Sequence, residues 1–478
     1  MEFTLHTFLF VFFPIILTGY LLINYLANPK IKNRYLLIVS LLLYAWVSMQ
    51  FFYWFLAVIL LTYILGNVVN GAKADTRENK KWIAIAVSIF VFFLGYYKYY
   101  TFILENLNAV GWLKGEGKSI VIPIGISFLI FGAISYVVDI SRGEATTGCL
   151  ADVALYLAFF PKMVSGPIIL WKHFQPQIKV RKTDITAVTD GIDRIIIGYA
   201  KKVIIADTLG RTVAQIQSMS VTGIDRNTYF IWAFLFMLEI YFDFSGYSDI
   251  AIGICRFFGF SVDKNFNYPY VSVSITEFWR RWHISLGTWF REYVYIPLGG
   301  NRKGNVYLNL FIVFLLTGIW HGANWTFFVW GGINGIFVAF ERFAQKRLWY
   351  QKIPKLVKWL TTMMLIYFMW IMFMSVDMPE AIDIYEHLLG TTLEGNVNFT
   401  YRYFMTFKTG CIALIGGILA VSGANRQVKM IYNSFADWRI GRYRVGYVMK
   451  SLLFLLLFAI VILFVVNSSY SPFLYFQF

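Results

Sequence analysis

His321 stands eighteenth in a run of 37 residues, 304–340, that holds no Asp, Glu, Lys or Arg. Its surroundings read Leu316-Thr317-Gly318-Ile319-Trp320-His321-Gly322-Ala323-Asn324-Trp325. An ionisable group at membrane depth is a functional hypothesis by default, since hydrocarbon tolerates it only beside a partner or water. A neutral imidazole there can accept a proton from a hydroxyl, which is general-base chemistry. It can equally be a core histidine bonded to a neighbouring helix, and position alone leaves both open. Gly318 and Gly322 flank it at a spacing that lets a second backbone or a substrate come close. Asn324 is the nearby polar candidate for holding a substrate.

Two more groupings carry chemistry. His283 lies in Glu277-Phe278-Trp279-Arg280-Arg281-Trp282-His283-Ile284-Ser285, where Glu277 and Arg281 are spaced to pair on a helix. It reads as a second active-site histidine, with Arg280 helping to clamp an anionic group. The other reading, which position alone favours, is an interfacial helix with Trp anchors and snorkelling Arg. In Tyr241-Phe242-Asp243-Phe244-Ser245-Gly246-Tyr247-Ser248-Asp249, two carboxylates sit inside an apolar segment. Asp243 and Asp249 either line a polar cavity near His283 or His321 and bind substrate, or pair with Arg256 or Arg280 at a helix end. Ser245 and Ser248 have no base close in sequence, which argues against a covalent serine. His6 and His387 read as a terminal and a loop histidine, and His173, beside Lys172, as interfacial.

Other chemistries lack their signatures. There is no GxSxG elbow, HExxH, Walker loop, GxGxxG opening a helix, or HxxxxD pattern. Cys149, Cys255 and Cys411 are scattered without CxxC or CxxH spacing, so no zinc site is read and no metal is expected.

The elements that must hold these side chains are apolar. Of 478 residues, 58% are hydrophobic, 20% aromatic and only 14% charged, with a mean hydropathy of +0.61. Soluble domains carry about 25% charged residues, and the apolar residues here come in blocks instead of stripes. That excludes a soluble globular enzyme, a disordered chain and a disulfide-stapled secreted domain. The 42 Lys and Arg exceed the 26 Asp and Glu by a formal +16, but they sit in short loops between apolar blocks. Topology and anionic headgroups account for them, so no nucleic-acid partner is expected.

A span needs about 20 apolar residues. Charge-free stretches run 3–29, 35–72, 119–138, 304–340, 359–376, 409–425 and 451–478. The 35–72 and 304–340 runs are too long for one helix and split near Ser48-Met49-Gln50 and Gly322-Ala323-Asn324. Segments 82–104, 153–171 and 227–258 add further helices. The expectation is an all-α polytopic membrane protein with about eleven transmembrane helices, forming one membrane-embedded domain over 1–478. The opening residues lack a basic n-region and a cleavage site, so they read as a retained first helix.

Basic clusters at Lys30, Lys32 and Arg34, at Lys73–Lys81, at Lys346–Lys358 and at Arg426–Arg444 mark cytoplasmic loops. The acidic loop with Asp377, Glu380, Asp383, Glu386 and Glu394 fits the outer face, and both termini then lie outside. Residues 172–226 and 275–303 mix cations with apolar residues and read as interfacial or half-inserted helices. Such helices line cavities, because non-helical backbone is costly in lipid. No internal repeat supports an inverted-repeat transporter.

The strings PIGISFLIFGAISYVVD (123–139), FFPKMVSGPI (159–168), FDFSGYSDIAIGICRFFGF (242–260), FWRRWHISLGTWFREYVYIPLGGNR (278–302) and LTGIWHGANWTFFVWG (316–331) resemble the membrane-bound O-acyltransferase family. The resemblance is to its bacterial alginate O-acetyltransferase branch, covers roughly residues 1–470 and has its motif core at about 120–345. It implies a funnel of tilted helices with His321 as the active-site histidine and His283 at the second signature position. It also implies acetyl transfer from a cytoplasmic donor, acetyl-CoA or another acyl thioester, with no bound cofactor. The acceptor is then an extracellular or periplasmic polysaccharide, reached directly or through an extracytoplasmic acetyltransferase partner protein. The resemblance further implies a location in the bacterial inner membrane. Alternatives are a transporter or flippase of an acyl carrier or glycan intermediate, or a related acyltransferase acting on a lipid, teichoic acid or protein.

Overall fold

The computed structural model describes residues 7–25, 28–72, 76–112, 120–181, 184–220, 223–391, 397–422 and 445–467. His6 and the basic cluster 426–444 lie outside the described residues. The described chain is helical, its one β-contact being an isolated bridge between Ile224 and Phe399. Among the described residues five helices are long and apolar enough to cross a membrane: Met49–Gly71, Arg77–Ala109, Arg226–Phe257, Lys355–Met374 and Val445–Asn467. Shorter apolar helices are Phe8–Ile23, Ile126–Ser141, Val306–His321 and Phe407–Ser422. The protein is a multi-pass membrane protein.

The chain divides into two compact units. The first comprises Met1–Ile192, Ala251–Asp263 and Thr288–Val294. Its helices are α1 (Phe13–Tyr25), α2 (Pro29–Val47), α3 (Phe52–Gly71), α4 (Arg77–Ala109), α5 (Ile126–Ser141), α6 (Leu150–Ala158), α7 (Phe160–Met163) and α8 (Trp171–Lys179). The 35–72 run breaks at Ser48, where a 3-10 turn, Met49–Phe51, separates α2 from α3. The single helix expected over 153–171 does not form. Helix α6 ends at Ala158, α7 is a single turn and residues 164–170 bend and run extended. Pro161 and Pro167 each remove a backbone donor, and Gly166 folds so tightly that a Cβ there would fall 2.2 Å from the Pro161 carbonyl oxygen.

A polar seam ties the returning segment into this unit. Asp139, fully buried on α5, accepts from the Tyr293 hydroxyl at 2.6 Å and from the Lys172 backbone N–H at 3.0 Å. Lys172 reaches Glu144 at 2.6 Å and Glu292 at 3.4 Å. Partial burial works against the Glu292 charge, but the Arg291 hydrogen bond and the Lys172 ammonium outweigh it and hold this carboxyl below its usual range.

The second unit comprises Asp193–Ile250, Lys264–Gly287 and Tyr295–Phe478. Helix α9 (Ile185–Tyr199) leads into a π-helical stretch, Ala200–Ala206, and then α10 (Asp207–Met219). Next come α11 (Arg226–Phe257), α12 (Ile275–Arg281), α13 (Ile284–Phe290), α14 (Val306–His321), α15 (Trp325–Ala344) and α16 (Leu348–Lys352). The remainder is α17 (Lys355–Met374), α18 (Met378–Leu389), α19 (Tyr401–Phe404), α20 (Phe407–Ser422) and α21 (Val445–Asn467).

Helices α14 and α15 form a hairpin broken at Gly322-Ala323-Asn324. Gly322 is extended, and the Asn324 side chain caps α15 by accepting from Thr326 N–H at 3.1 Å. Their backbones touch through glycine: a Cβ on Gly331 would lie 2.7 Å from the Phe314 carbonyl oxygen, and one on Gly318 would lie 2.8 Å from Gly331 Cα. Gly331→Leu is therefore expected to force the hairpin apart at a cost of about 1–3 kcal/mol or more. A lower unfolding temperature in detergent checks this, and unchanged stability would contradict the close crossing.

Candidate active site

The second unit has chemically distinct ends. Lys346, Arg347, Lys352, Lys355 and Lys358 mark a basic end, where α15 stops and α17 starts, and Asp377, Glu380 and Asp383 mark an acidic end just past α17. Side-chain bonds along α15 and α17 place the neighbouring segment by depth. Near the basic end, Glu341 accepts from the backbone N–H groups of Ile275 and Thr276 at 2.7 Å each, and Trp359 donates to the Tyr270 carbonyl at 2.9 Å. Deeper in, Trp279 donates to Asn334 at 2.9 Å and Trp282 packs on Trp370 with ring centroids 4.8 Å apart. Helix α12 thus enters from the basic end and delivers His283 to the interior.

His283 is buried in the turn between α12 and α13, with φ +44°, a left-handed conformation uncommon for a residue with a Cβ. Its ring lies edge-on to Phe244, centroids 4.7 Å apart, and 6.4 Å from the Trp320 ring. Nδ1 is 3.2 Å from the side-chain oxygen of Asn265, itself 1% exposed. That same oxygen accepts from the Ser285 backbone N–H and hydroxyl, both at 3.0 Å, while the Asn265 side-chain nitrogen donates to the Ser248 hydroxyl at 3.2 Å.

His321 is the last residue of α14, 7% exposed, and sits among aromatic rings. Trp320, Trp330, Phe373 and Phe327 have centroids 4.9, 5.3, 5.0 and 6.2 Å from its own. Phe373 is one residue from the acidic end of α17, so His321 lies toward that end. Both histidines pack against the Trp320 indole, with ring centroids 6.4 Å and 4.9 Å away.

Beside His283 lies a polar cavity of about 270 Å³, lined by Arg194, Lys201, Lys264, Asp249, Asn265 and Ser248 among others. Arg194 and Lys201 grip Asp249 at 2.8 and 2.7 Å. Three cations against one carboxylate leave the cavity net positive, suited to an anionic group. It runs from exposed Lys264 to buried Asn265. Its lining includes Tyr268, two residues from Tyr270, whose carbonyl accepts from Trp359 near the basic end.

Of the six residues singled out from sequence, His283 and His321 are brought together around Trp320. Asp249 reaches the cavity, paired with Arg194 and Lys201. Asp243 instead pairs with buried Lys202 at 2.7 Å, and Lys202 also holds Asp207 at 2.7 Å. Arg280 is exposed and does not line the cavity. Asn324 caps α15 and donates to the Val376 carbonyl. His387 stacks on Tyr229 at 4.5 Å and His173 is exposed. Glu277 and Arg281 pair at 2.7 Å. Among the described residues no cluster of His, Cys, Asp and Glu could hold a metal ion. The residues that spacing missed are Asn265, Lys264, Arg194 and Lys201.

These features define a class: a multi-pass helical membrane protein with two imidazoles buried around one indole and a basic cavity alongside. Residues 141–377 match the family model for MBOAT, the membrane-bound O-acyltransferase family. A Pseudomonas putida protein named "Probable alginate O-acetylase AlgI" is 38% identical over the full length of both chains. Its Pseudomonas aeruginosa namesake is 36% identical over 91% of this chain and 82% of its own. A Helicobacter pylori peptidoglycan O-acetyltransferase is 30% identical over 98% of this chain and 96% of its own. The chain belongs to the membrane-bound O-acyltransferase family, and it is an O-acyltransferase.

Proposed function

We propose that this chain moves an acetyl group from a cytoplasmic thioester, acetyl-CoA or a related donor, to a hydroxyl of an exported polysaccharide. The observation that carries this reading is the placement of the two histidines in the second unit. His283 is bonded to Asn265, which lines the basic cavity, and His321, which shares the Trp320 indole with it, packs on Phe373 toward the acidic end. With basic loops inside, the cavity opens to the cytoplasm, where a phosphate-bearing thioester is available, and His321 lies toward the outer side, where a glycan hydroxyl arrives. Helices α2 and α15, added to the five long and four shorter apolar helices, support about eleven spans, and the bacterial relatives support a place in the inner membrane.

His321 acts as the general base, taking the hydroxyl proton as the new C–O bond forms and the C–S bond breaks; the departing thiolate receives that proton. His283 supports the reaction from the donor side. The full-length relatives named for alginate and peptidoglycan acetylation support a glycan acceptor, with alginate-like polymers favoured by the higher identities. Where an extracytoplasmic acetyltransferase partner takes part, its own hydroxyl is the acceptor at His321, and the ester so formed is passed on to the polymer hydroxyl. In a host lacking its own copy of this gene, the wild-type chain is expected to restore acetyl ester on the exported polysaccharide. Polymer that stays unacetylated, with the protein present in the membrane, would overturn the reading.

The cavity makes a separate expectation. Replacing Lys201 and Lys264 together by Gln removes two charges at partly solvated sites, each worth up to about 1 kcal/mol toward an anion. The KM for acetyl-CoA should rise, by up to about thirtyfold, with kcat changed little. An unchanged KM would remove the cavity from donor binding.

A further inference from the structure

We infer that Asn265 is the positioning residue of this site, holding His283 as the Nδ1–H tautomer so that the imidazole works as an acceptor through Nε2. The argument starts from a group whose role is fixed. The Ser285 backbone N–H only donates, and it points at the Asn265 side chain at 3.0 Å. The amide therefore presents its oxygen there and its nitrogen to Ser248, 3.2 Å away. His283 Nδ1 shares that oxygen at 3.2 Å, so Nδ1 must bring the hydrogen. One proton remains on a neutral ring, and Nε2 then carries the lone pair.

The backbone points the same way. His283 holds φ +44°, a strained conformation that persists only where its surroundings over-determine it. Asn265 supplies that determination: its carbonyl oxygen accepts from Ile284 N–H at 2.9 Å while its side chain takes Ser285 twice. One buried residue from a loop 18 positions upstream thus fixes both the turn that carries the imidazole and the hydrogen on the ring. In consequence His283 accepts a proton or hydrogen bond from the incoming groups and does not donate to the thioester carbonyl. This deepens the acyl-transfer reading and rests on it for the catalytic consequence, though not for the tautomer.

The tautomer can be read directly. The chain has five histidines, so a ring-¹⁵N-labelled sample in lipid, compared with His283→Gln, isolates the His283 signals. A protonated Nδ1 with an unprotonated Nε2 is expected, and a protonated Nε2 would overturn the inference. Kinetics supply the second arm. Asn265→Leu is expected to lower kcat about 10–100-fold, as loss of a group orienting an active-site histidine does in metal sites, and to lose the Nδ1–H signature. Asn265→Asp keeps an acceptor for both Ser285 and Nδ1, so it should retain the signature and recover most of kcat. Because a carboxylate favours the protonated ring, its acidic limb in kcat/KM should move to higher pH. A merely structural asparagine would leave the signature in Asn265→Leu and the limb in Asn265→Asp unmoved, and an Asn265→Asp limb at the wild-type pH would overturn the proposal. If Asn265→Leu fails to fold, Asn265→Asp and the wild-type spectrum still decide it. Full activity in His283→Ala would instead remove the acyl-transfer role of this histidine while leaving the tautomer standing.

Discussion

His321→Ala is expected to abolish acetyl transfer, lowering kcat about 10²–10⁴-fold, the range a positioned general base supplies. The imidazole is 7% exposed and ringed by Trp320, Phe327, Trp330 and Phe373. Alanine leaves a void there, so part of any loss in cells would come from stability. His321→Gln keeps most of the volume and a polar end but not the basicity. Both variants should lose kcat together, while only alanine should lower the unfolding temperature appreciably. The KM for the donor should stay close to wild type, because the cavity proposed to receive it lies on the His283 side. Purified protein assayed with labelled acetyl-CoA measures both parameters. Retention of more than about a tenth of kcat in His321→Gln would remove His321 from the base role.

Lys202→Met is the second large effect, and it acts through the fold. Lys202 is 1% exposed and pairs with Asp207 and Asp243 at 2.7 Å each. Methionine matches its length but leaves two buried carboxylates without their cation, and breaking a buried pair in this way costs about 3–5 kcal/mol. Glu239 is close as well, since a Cβ added to Gly210 would meet its Oε1 at 2.4 Å. Such a loss is a large fraction of a domain's stability margin of about 5–15 kcal/mol. The membrane yield of folded protein should collapse, and the unfolding temperature of what remains should fall. Combining Lys202→Met with Asp207→Asn and Asp243→Asn removes the stranded charges and should recover most of the loss. A single variant as stable as wild type would show that the triad contributes nothing.

Much of this was legible in sequence because a bilayer enforces simple rules. Runs without charge mark helices, and the two overlong runs broke where small or polar residues interrupt them, at Ser48 and at Gly322–Asn324. His321 was visible by depth alone, as the ionisable group in its run. Helical spacing also anticipated the Glu277–Arg281 pair. The failures have physical causes too. Residues 153–171 look helical by hydropathy, but two prolines and a tight glycine fold them back. Asp243 was weighed against Arg256 and Arg280, whereas its cation is Lys202, some forty residues upstream on the π-helical stretch. Asn265 gave no signal because an asparagine in a loop resembles ordinary turn chemistry. Its importance comes from three donors converging on one oxygen, which only the fold creates. The cavity likewise assembles Arg194, Lys201 and Lys264 from separate segments.

The most direct test of transfer through the membrane uses sealed proteoliposomes with the chain oriented basic end outward. The polysaccharide and the extracytoplasmic partner are trapped inside, and acetyl-labelled acetyl-CoA is supplied only outside. Label should accumulate as ester on the trapped polymer with wild-type protein and stay on the coenzyme with His321→Gln. If wild-type protein leaves the label on the coenzyme with every component present, or His321→Gln delivers it as fast as wild type, the account is wrong.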